Sequence, residues 1–171
     1  MRAATIWITG LPSSGKTSLA NALAERLRAR NEAVVILDGD EVRKSLSKDL
    51  GFGMEARREN VRRVGAVAEL ITRSGVFAVV ALVSPQAAPR AEVKAHHHEH
   101  GQRFFEVFMS ASLKIAETRD AKGLYARARA GLTSDVTGID SPFEPPTDAD
   151  LVVPPEEPLD SSVARLIDLI S

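Results

Sequence analysis

A glycine-bounded loop near the start of the chain, GLPSSGKTS, has the residue pattern of a phosphate-binding site. It fits G-x-x-x-x-G-K-[ST], in which backbone N–H groups surround phosphate oxygens. In that pattern Lys16 reaches the β- and γ-phosphates of a nucleoside triphosphate, and the Thr17 hydroxyl ligates Mg²⁺. The nucleotide-binding residues predicted from this loop are Gly10, Leu11, Pro12, Ser13, Ser14, Gly15, Lys16, Thr17 and Ser18.

Two acids, Asp38 and Asp40, follow the apolar run AVVIL in the stretch LDGDEVRKSL. In open α/β sheets, ligands bind beyond the carboxyl ends of the strands, which is where these carboxylates are predicted to lie. There they could orient and deprotonate a hydroxyl group, or hold the water shell of a metal ion. The alternative is a turn in which an aspartate caps the next helix, whose first turn includes Arg43.

Basic and aromatic residues are concentrated in DLGFGMEARRENVRRVG. Phe52 lies in its glycine-punctuated loop, and Arg57 and Asn60 belong to the start of a helix. Arginine suits a planar anion, and a phenylalanine in a loop suits a base or ring. The alternative is a solvated basic helix face, which is what charge runs usually form, and we assign Arg62 and Arg63 to it.

Short apolar runs alternate with amphipathic stretches along the chain, which predicts an α/β fold with a mostly parallel, five-stranded sheet. Near-continuous apolar runs are typical of strands that are buried on both faces. The predicted strands are residues 4–9, 33–37, 76–83, 104–109 and 150–153, and the predicted helices are residues 16–30, 55–74 and 159–170. The phosphate loop thus joins a strand to a helix, as its motif requires.

Length and composition limit the function. A chain of 171 residues is expected to form one domain over residues 1–171. It has no cysteine, which excludes disulfides and thiolate zinc sites. Its net charge of -1 gives no reason to expect a nucleic-acid polymer as partner, and its apolar runs are too short to span a membrane. No signal peptide is recognisable at the N-terminus, so we expect a cytoplasmic protein.

The run HHHEH contains H-x-x-E-H, the pattern of inverted zinc-protease helices. His96 and His100 are four residues apart and could share a metal ion on one helix face. The run precedes the fourth predicted strand, on a helix end that we expect to be exposed. We therefore expect no catalytic zinc here and favour adventitious metal binding.

Six motifs, in order, resemble those of adenylylsulfate kinases: GLPSSGKT, LDGDEVRKSL, DLGF followed by R-x-E-N, SP after the third strand, RDAKGLYARARAG and TGIDSPFEPP. The resemblance extends from residue 4 to residue 170, nearly the whole chain. It implies transfer of the ATP γ-phosphate to the 3'-hydroxyl of adenosine 5'-phosphosulfate, a small-molecule nucleotide acceptor, with Mg²⁺ as cofactor. It also implies a three-layer α/β/α P-loop kinase fold, a homodimer and a role in sulfate assimilation.

The resemblance assigns roles to residues on the acceptor side. Asp38 matches the candidate catalytic base, and Asp40 matches its acidic neighbour near the metal, which Thr17 also ligates. Phe52 matches an aromatic residue that packs on the acceptor base. The residues that match the binders of the phosphosulfate end are Arg43, Arg57 and Asn60.

Further matches lie in the SP and RDAKGLY motifs. Lys122 matches a lid lysine that contacts the substrates, and we expect it to offset charge on the moving phosphoryl group together with Lys16. Arg119 and Asp120 match a nucleotide-contacting pair. Ser84 matches a serine that is described in this family as a phosphorylated catalytic intermediate. In-line transfer needs no covalent relay, so ordinary hydrogen bonding at the strand end is the alternative role for Ser84.

Departures from the family pattern cluster on the acceptor side, at Gly53, Ala56, Gln86, Ala87 and Val136, whereas the ATP side is intact. Val136 replaces an aromatic residue that would sandwich the acceptor base. Because pocket shape sets specificity, an alternative function is phosphorylation of another nucleotide-linked acceptor, such as cytidine diphosphoramidate. A second alternative, of a different class, is a non-catalytic nucleotide-binding protein.

Overall fold

A five-stranded sheet forms the centre of the computed structural model, which describes residues 2–171. The strands are β1 (Ala4–Thr9), β2 (Val34–Asp38), β3 (Phe77–Ala81), β4 (Arg103–Met109) and β5 (Leu151–Val153). Their order across the sheet is β2-β3-β1-β4-β5, and every neighbouring pair is parallel. The predicted α/β fold with five strands is confirmed, and the sheet is parallel throughout.

Helices cover both faces of this sheet. They are α1 (Lys16–Arg28), α2 (Gly39–Lys44), α3 (Met54–Arg73), α4 (Ala87–Glu99), α5 (Leu113–Thr118), α6 (Leu124–Arg129) and α7 (Leu159–Ile170). On one face, α1 and α7 bury apolar side chains such as Leu23 and Leu166 against the strands. On the other face, α3 and α4 do the same with Val64 and Val93. The predicted three-layer α/β/α architecture is therefore confirmed.

Strand β3 ends at Ala81, two residues before the predicted boundary. Leu82 still donates its N–H to the Ile8 carbonyl at 3.1 Å. Beyond it, Thr9 Oγ1 donates to the Val83 carbonyl at 2.7 Å, so a side chain replaces the neighbouring strand as the hydrogen-bond partner. The positive φ of Ser84, 39°, then turns the chain toward α4. This turn lies at the carboxyl edge of the sheet, beside the phosphate loop.

Helix α4 was predicted only as an exposed helix end at HHHEH. Its inward face contains Arg90 and His97 as well as Val93, all buried. Polar residues at inward positions hide the apolar periodicity by which a helix is recognised in a sequence. The helix packs closely on α3, because a Cβ atom built on Gly65 would lie 2.6 Å from Val93 Cγ2.

A third, smaller apolar cluster lies over the phosphate loop. It includes Leu11 of the loop, Ala116 of α5, Tyr125 of α6 and Val136 of the following segment. The segment from α5 through α6 to Val136, called the lid below, is thus anchored to the loop by buried side chains. Within residues 2–171, no helix combines the length and the apolar character needed to cross a membrane.

Candidate active site

The loop between β1 and α1 has a backbone that suits an anion. Ser13 and Gly15 have φ values of 61° and 98°, and such left-handed residues let successive N–H groups converge on one point. Gly15 directly precedes α1, whose positive N-terminal end adds to the attraction for phosphate. Gly10 has a φ of 152°, and a Cβ atom there would lie 2.9 Å from the Met109 carbonyl oxygen. Position 10 therefore requires glycine, because β4 packs directly against the loop there.

Lys16 lies inside this loop, with 8% of its surface exposed. Its Nζ donates to the carbonyls of Gly10 at 3.0 Å and Leu11 at 2.7 Å, and lies 3.5 Å from the hydroxyl of the buried Ser14. Burial lowers the pKa of Lys16 to about 8, although the charges of Asp38 and Asp40 act in the opposite direction. The ammonium group is thus costly to hold without an anion and ready to bind one.

Asp38 connects the loop to the second strand. Thr17 Oγ1 donates to Asp38 Oδ2 at 2.7 Å, while Asp38 Oδ1 accepts the Asp40 N–H at 3.0 Å and so caps α2. The capping interpretation of the LDGD turn is therefore confirmed, and the second carboxylate oxygen, which contacts Thr17, leaves the catalytic role of Asp38 a prediction. The capping bond holds the carboxylate in place beside the loop threonine.

Asp40 forms an ion pair with Lys122, from the segment before α6. Both side chains are exposed, at 65% and 72%, so the pair lies at the rim of the site. Lys122 and both carboxylates act electrostatically on Lys16: the carboxylates raise its pKa and Lys122 lowers it. The structure thus brings together four of the predicted residues, Lys16, Asp38, Asp40 and Lys122, from three separate stretches of the chain.

The basic and aromatic residues of the acceptor side form a cluster beyond α2. Arg43 stacks on the Phe52 ring, with its Cζ 4.6 Å from the ring centroid, and donates to the Gly51 carbonyl at 2.5 Å. Arg57 Nε donates to the Phe52 carbonyl at 2.6 Å, and its Nη2 donates to the Asp135 carbonyl. Burial lowers the pKa of both arginines. The Phe52 side chain remains 58% exposed and available to a ligand.

Two other acceptor-side residues are buried. Asn60 is 6% exposed, and its Oδ1 has no hydrogen-bond partner among the described residues. Val136 is 3% exposed and packs with Leu11 and Tyr125, while its N–H donates to Asp140 Oδ1 at 2.6 Å. Val136 therefore supports the lid from inside, and the role of Asn60 in binding an acceptor stays a prediction.

Ser84 is buried at the end of β3. Its hydroxyl accepts from Trp7 Nε1 at 3.1 Å and donates to Thr9 Oγ1 at 2.9 Å. Its carbonyl accepts from Arg90 Nη1 at 2.7 Å, and Arg90 also donates to Glu106 Oε1 at 2.7 Å. These contacts favour the hydrogen-bonding role. The two substituted neighbours, Gln86 and Ala87, lie at the start of α4.

Arg119 and Asp120 organise the segment between α5 and α6. Arg119 Nη2 donates to the Pro155 carbonyl at 2.7 Å. Asp120 accepts the N–H groups of Leu124 at 2.8 Å and Ala126 at 3.1 Å, which stabilises the start of α6. Both residues thus have structural partners, and their contact with a nucleotide stays a prediction.

Sequence reasoning missed Tyr125, which ties α6 to the phosphate loop. Its hydroxyl donates to the Pro12 carbonyl at 2.9 Å, and its side chain is 1% exposed. Burial raises the pKa of Tyr125, so the hydroxyl keeps its proton and donates. Its position in the RDAKGLYARARAG motif was the available signal, but the stretch alone reads as a basic amphipathic helix.

Transfer of a phosphoryl group to a hydroxyl requires a cradle for the donor phosphates and a carboxylate within reach of the acceptor. The loop has the shape expected for the first, and Asp38, which contacts the loop threonine, lies where the second is expected, at the carboxyl edge of a parallel sheet where α/β proteins bind their ligands. Fold and site together define a P-loop kinase.

The chain belongs to the adenylylsulfate kinase family, because the family model described as adenylylsulphate kinase matches residues 2–154. An adenylyl-sulfate kinase of Shewanella amazonensis is 49% identical over 170 residues, covering 99% of this chain and 85% of that protein. A probable adenylyl-sulfate kinase of Synechocystis is 48% identical over 166 residues, covering 96% of this chain and 92% of that protein.

A solved structure of high similarity is the Mycobacterium tuberculosis APS kinase in complex with AMPPNP and APS. It is 43% identical, has a TM-score of 0.96, and the match covers 99% of this chain and 98% of that one. The backbone likeness therefore extends over the phosphate loop, the acceptor-side cluster and the lid.

Proposed function

We propose that this protein transfers the γ-phosphoryl group of ATP to the 3'-hydroxyl of adenosine 5'-phosphosulfate, as an enzyme of sulfate assimilation. The observation that carries the proposal is the 2.7 Å hydrogen bond from Thr17 Oγ1 to Asp38 Oδ2. It joins the residue expected at the terminal phosphates to a carboxylate on the acceptor side. A hydroxyl group bound by Asp38 would therefore face the phosphoryl group that it receives. Membership of the family supports this choice of substrates.

On the donor side, the chain contributes charge and shape. Lys16 would exchange its bonds to the Gly10 and Leu11 carbonyls for bonds to the β- and γ-phosphate oxygens. The N–H groups of residues 10–18 would surround the same phosphates. Tyr125 holds the loop from the lid side through its hydrogen bond to the Pro12 carbonyl. The proposal therefore assigns these residues to ATP binding and charge neutralisation.

Mg²⁺ fits the donor atoms next to this loop. The Thr17 hydroxyl and the Asp38 carboxylate, with the Asp40 carboxylate on the same turn, are the hard oxygen ligands that Mg²⁺ prefers. When bound, Mg²⁺ would neutralise charge on the phosphates. Thr17 is the proposed direct ligand, and Asp40 is proposed to hold the water shell.

On the acceptor side, Asp38 is proposed as the catalytic base. Its carboxylate accepts the 3'-hydroxyl proton as the new O–P bond forms and the bond to the bridging oxygen of ADP breaks. Arg43 and Arg57 would bind the phosphosulfate end, with Asn60, and Phe52 would pack on the base. Lys122 closes over the site from the lid, where it pairs with Asp40. The proposal gives Ser84 no covalent step.

Single-domain organisation over residues 1–171, a homodimer and a cytoplasmic location belong to the same proposal. One continuous sheet with helices on both faces supports the first. The family resemblance supports the second, and the cysteine-free composition agrees with the third. Light scattering on the purified protein distinguishes a dimer from other assemblies.

The test is a coupled assay of ADP release with ATP, Mg²⁺ and a panel of acceptors. We expect rapid turnover with adenosine 5'-phosphosulfate, much slower turnover with cytidine and uridine analogues, and a product phosphorylated at the 3' position by ³¹P NMR. Faster turnover with a cytidine-based acceptor would overturn the choice of substrate. ATP binding without turnover on any acceptor would overturn the proposal that the protein is an enzyme.

A further inference from the structure

A buried carboxylate and two histidines meet at the end of the molecule opposite the phosphate loop. The loop follows the end of β1, whereas α3 and α4 lead into the starts of β3 and β4. Glu69, near the end of α3, is 5% exposed. Its Oε2 lies 2.9 Å from His96 Nε2, and its Oε1 lies 3.4 Å from His100 Nδ1, both on α4. The proposed phosphoryl transfer uses none of these three residues.

We propose that Glu69, His96 and His100 bind one divalent transition-metal ion, with Zn²⁺ as the best chemical match. One ligand atom from each residue lies within 4.8 Å of the other two. Zinc bonds of 2.0–2.2 Å in a tetrahedron place neighbouring ligand atoms roughly 3.3 Å apart, close to the spacing seen here. His100 Nδ1 also contacts the His96 carbonyl at 3.0 Å and would exchange that contact for the ion. Two imidazoles and a carboxylate suit Zn²⁺ better than Mg²⁺ or Ca²⁺, and water takes the fourth position.

The ligand set differs from the H-x-x-E-H pattern of the sequence. The two histidines are those of the pattern, with ring centroids 4.5 Å apart, but the carboxylate comes from α3. Of the two histidines between them, His97 points into the core, where it contacts the Val93 carbonyl at 2.8 Å and Thr5 Oγ1 at 3.0 Å. The proposed three-ligand site therefore combines residues of two helices, α3 and α4, and could not be recognised from a motif on one helix.

Burial of Glu69 is the physical reason for a cation at this position. A carboxylate removed from water needs a compensating charge. Arg73 approaches Glu69 Oε1 only to 3.6 Å, and its side chain is 56% exposed. A divalent ion shared with His96 and His100 would compensate the charge at shorter range. His96 and His100 are 53% and 43% exposed, and His96 lines a groove of about 480 Å³ between α3 and α4, which provides the entry path.

The bound ion would fasten α3 to α4 at the end remote from the chemistry. The two helices already touch at Gly65 and Val93. Glu69 lies nine residues after Asn60 on α3, about 14 Å along the helix axis at 1.5 Å per residue. The site is thus structural, and it stabilises the helix that carries Arg57 and Asn60 without reaching the phosphate loop.

The experiment uses the untagged full-length chain, treated with a chelator that is then removed, without nucleotide or Mg²⁺. ZnCl₂ is titrated by calorimetry, and CoCl₂ by the visible absorption of four-coordinate Co²⁺. We expect saturable one-to-one binding, an intense Co²⁺ spectrum and a higher melting temperature with Zn²⁺. Absence of saturable binding would overturn the site.

Single substitutions locate the ion. His96→Ala, His100→Ala and Glu69→Gln should each weaken Zn²⁺ binding at least about tenfold, since even outer-shell changes cost that much. His98→Ala removes an exposed histidine of the same helix and is the matched control, with unchanged binding. The exposed positions of His96 and His100 keep the test valid if Glu69→Gln fails to fold. Unchanged affinity in His96→Ala and His100→Ala, or loss of binding on Asp38→Asn, would contradict the assignment.

Discussion

The donor and acceptor sides of the site are built in different ways. On the donor side, the phosphate loop is enclosed: Lys16 is 8% exposed, and Gly10 packs against β4. On the acceptor side, Phe52 is 58% exposed, and the ion pair of Asp40 with Lys122 lies in solvent. Buried, close-packed contacts hold the donor side in one arrangement, whereas an exposed ion pair stabilises its arrangement by only about 0–1 kcal/mol. We therefore expect the ATP site to be formed before ATP binds, and the acceptor site to become ordered only when the acceptor binds.

Asp38 lies on the boundary between the two sides. One oxygen contacts Thr17 of the loop, and the other caps α2, which carries Asp40 and Arg43. A change on the donor side should therefore affect ATP binding or turnover, and it should also affect stability where it disturbs the packing against β4. A change at an exposed acceptor-side residue should affect acceptor binding alone. The following predictions test this contrast.

The largest effect is expected for Lys16→Met. Loss of the ammonium group should lower turnover by about 10³-fold, because a preorganised charge on the transferred group is removed. Stability at pH 7 should stay equal or rise, since a pKa of about 8 instead of 10.5 corresponds to roughly 3 kcal/mol of unfavourable charge burial. ADP release measures turnover, and thermal melting measures stability. A lower melting temperature would show that Lys16 is needed for the fold.

Asp38→Asn separates chemistry from capping. Asparagine keeps an oxygen for the Asp40 N–H and remains a good helix cap, so the melting temperature should change little. It cannot accept the hydroxyl proton, and turnover should fall by about 10²–10³-fold with ATP affinity nearly unchanged. Initial rates and calorimetric ATP titration test this. Retained turnover would remove Asp38 from the role of base.

Two glycine substitutions compare the sides directly. Gly10→Ala places a Cβ 2.9 Å from the Met109 carbonyl and should cost about 1–3 kcal/mol of unfolding free energy, with weaker ATP binding. Gly53→Ala is the matched control on the acceptor side. Its Cβ would meet nothing within 4 Å, so its cost should be about 0.5 kcal/mol or less. Urea denaturation distinguishes them, and equal costs would contradict the contrast.

The pH dependence follows from Lys16. The folded, ligand-free chain releases this proton near pH 8 and the unfolded chain near 10.5, so stability relative to Lys16→Met should rise between those values. Because phosphate prefers the charged form, ATP affinity should fall about tenfold from pH 7.5 to pH 9. Titrations across this range measure the fall. If ATP affinity falls equally with pH in Lys16→Met, the pH dependence belongs to another group.

The smallest effect is expected for Phe52→Ala. Loss of an exposed aromatic contact worth about 0.5–1.5 kcal/mol should raise the acceptor KM by roughly 2–12-fold. Stability and the ATP KM should not change, because the ring is 58% exposed. Leu132→Ala, which truncates another exposed apolar side chain (75% exposure), is the control and should alter neither KM. A raised ATP KM in Phe52→Ala would show that the two sides are coupled.

Much of the fold was predictable because its signals are local. The five apolar runs became the five strands, with boundaries shifted by one or two residues where a side chain such as Thr9 took over a hydrogen bond. Helix α4 was not predicted in full, since its inward face includes Arg90 and His97. Their partners, Glu106 and Thr5, lie on strands that only folding brings near.

The same distinction applies to the sites. Consecutive residues determined the phosphate loop, because its chemistry resides in backbone N–H groups and in two adjacent side chains. Contacts between distant segments were decided by packing alone: Tyr125 on Pro12, Lys122 on Asp40, and Glu69 between His96 and His100.

The sequence by itself thus determined the parallel sheet, the phosphate loop and the carboxylate after β2, because strand pattern and loop motif are properties of neighbouring residues. Only the tertiary structure decided that Lys122 pairs with Asp40, that Tyr125 binds the phosphate loop, and which carboxylate meets the histidines. Those pairings depend on how the helices pack across the sheet, and no spacing along the chain encodes the distance between two packed elements.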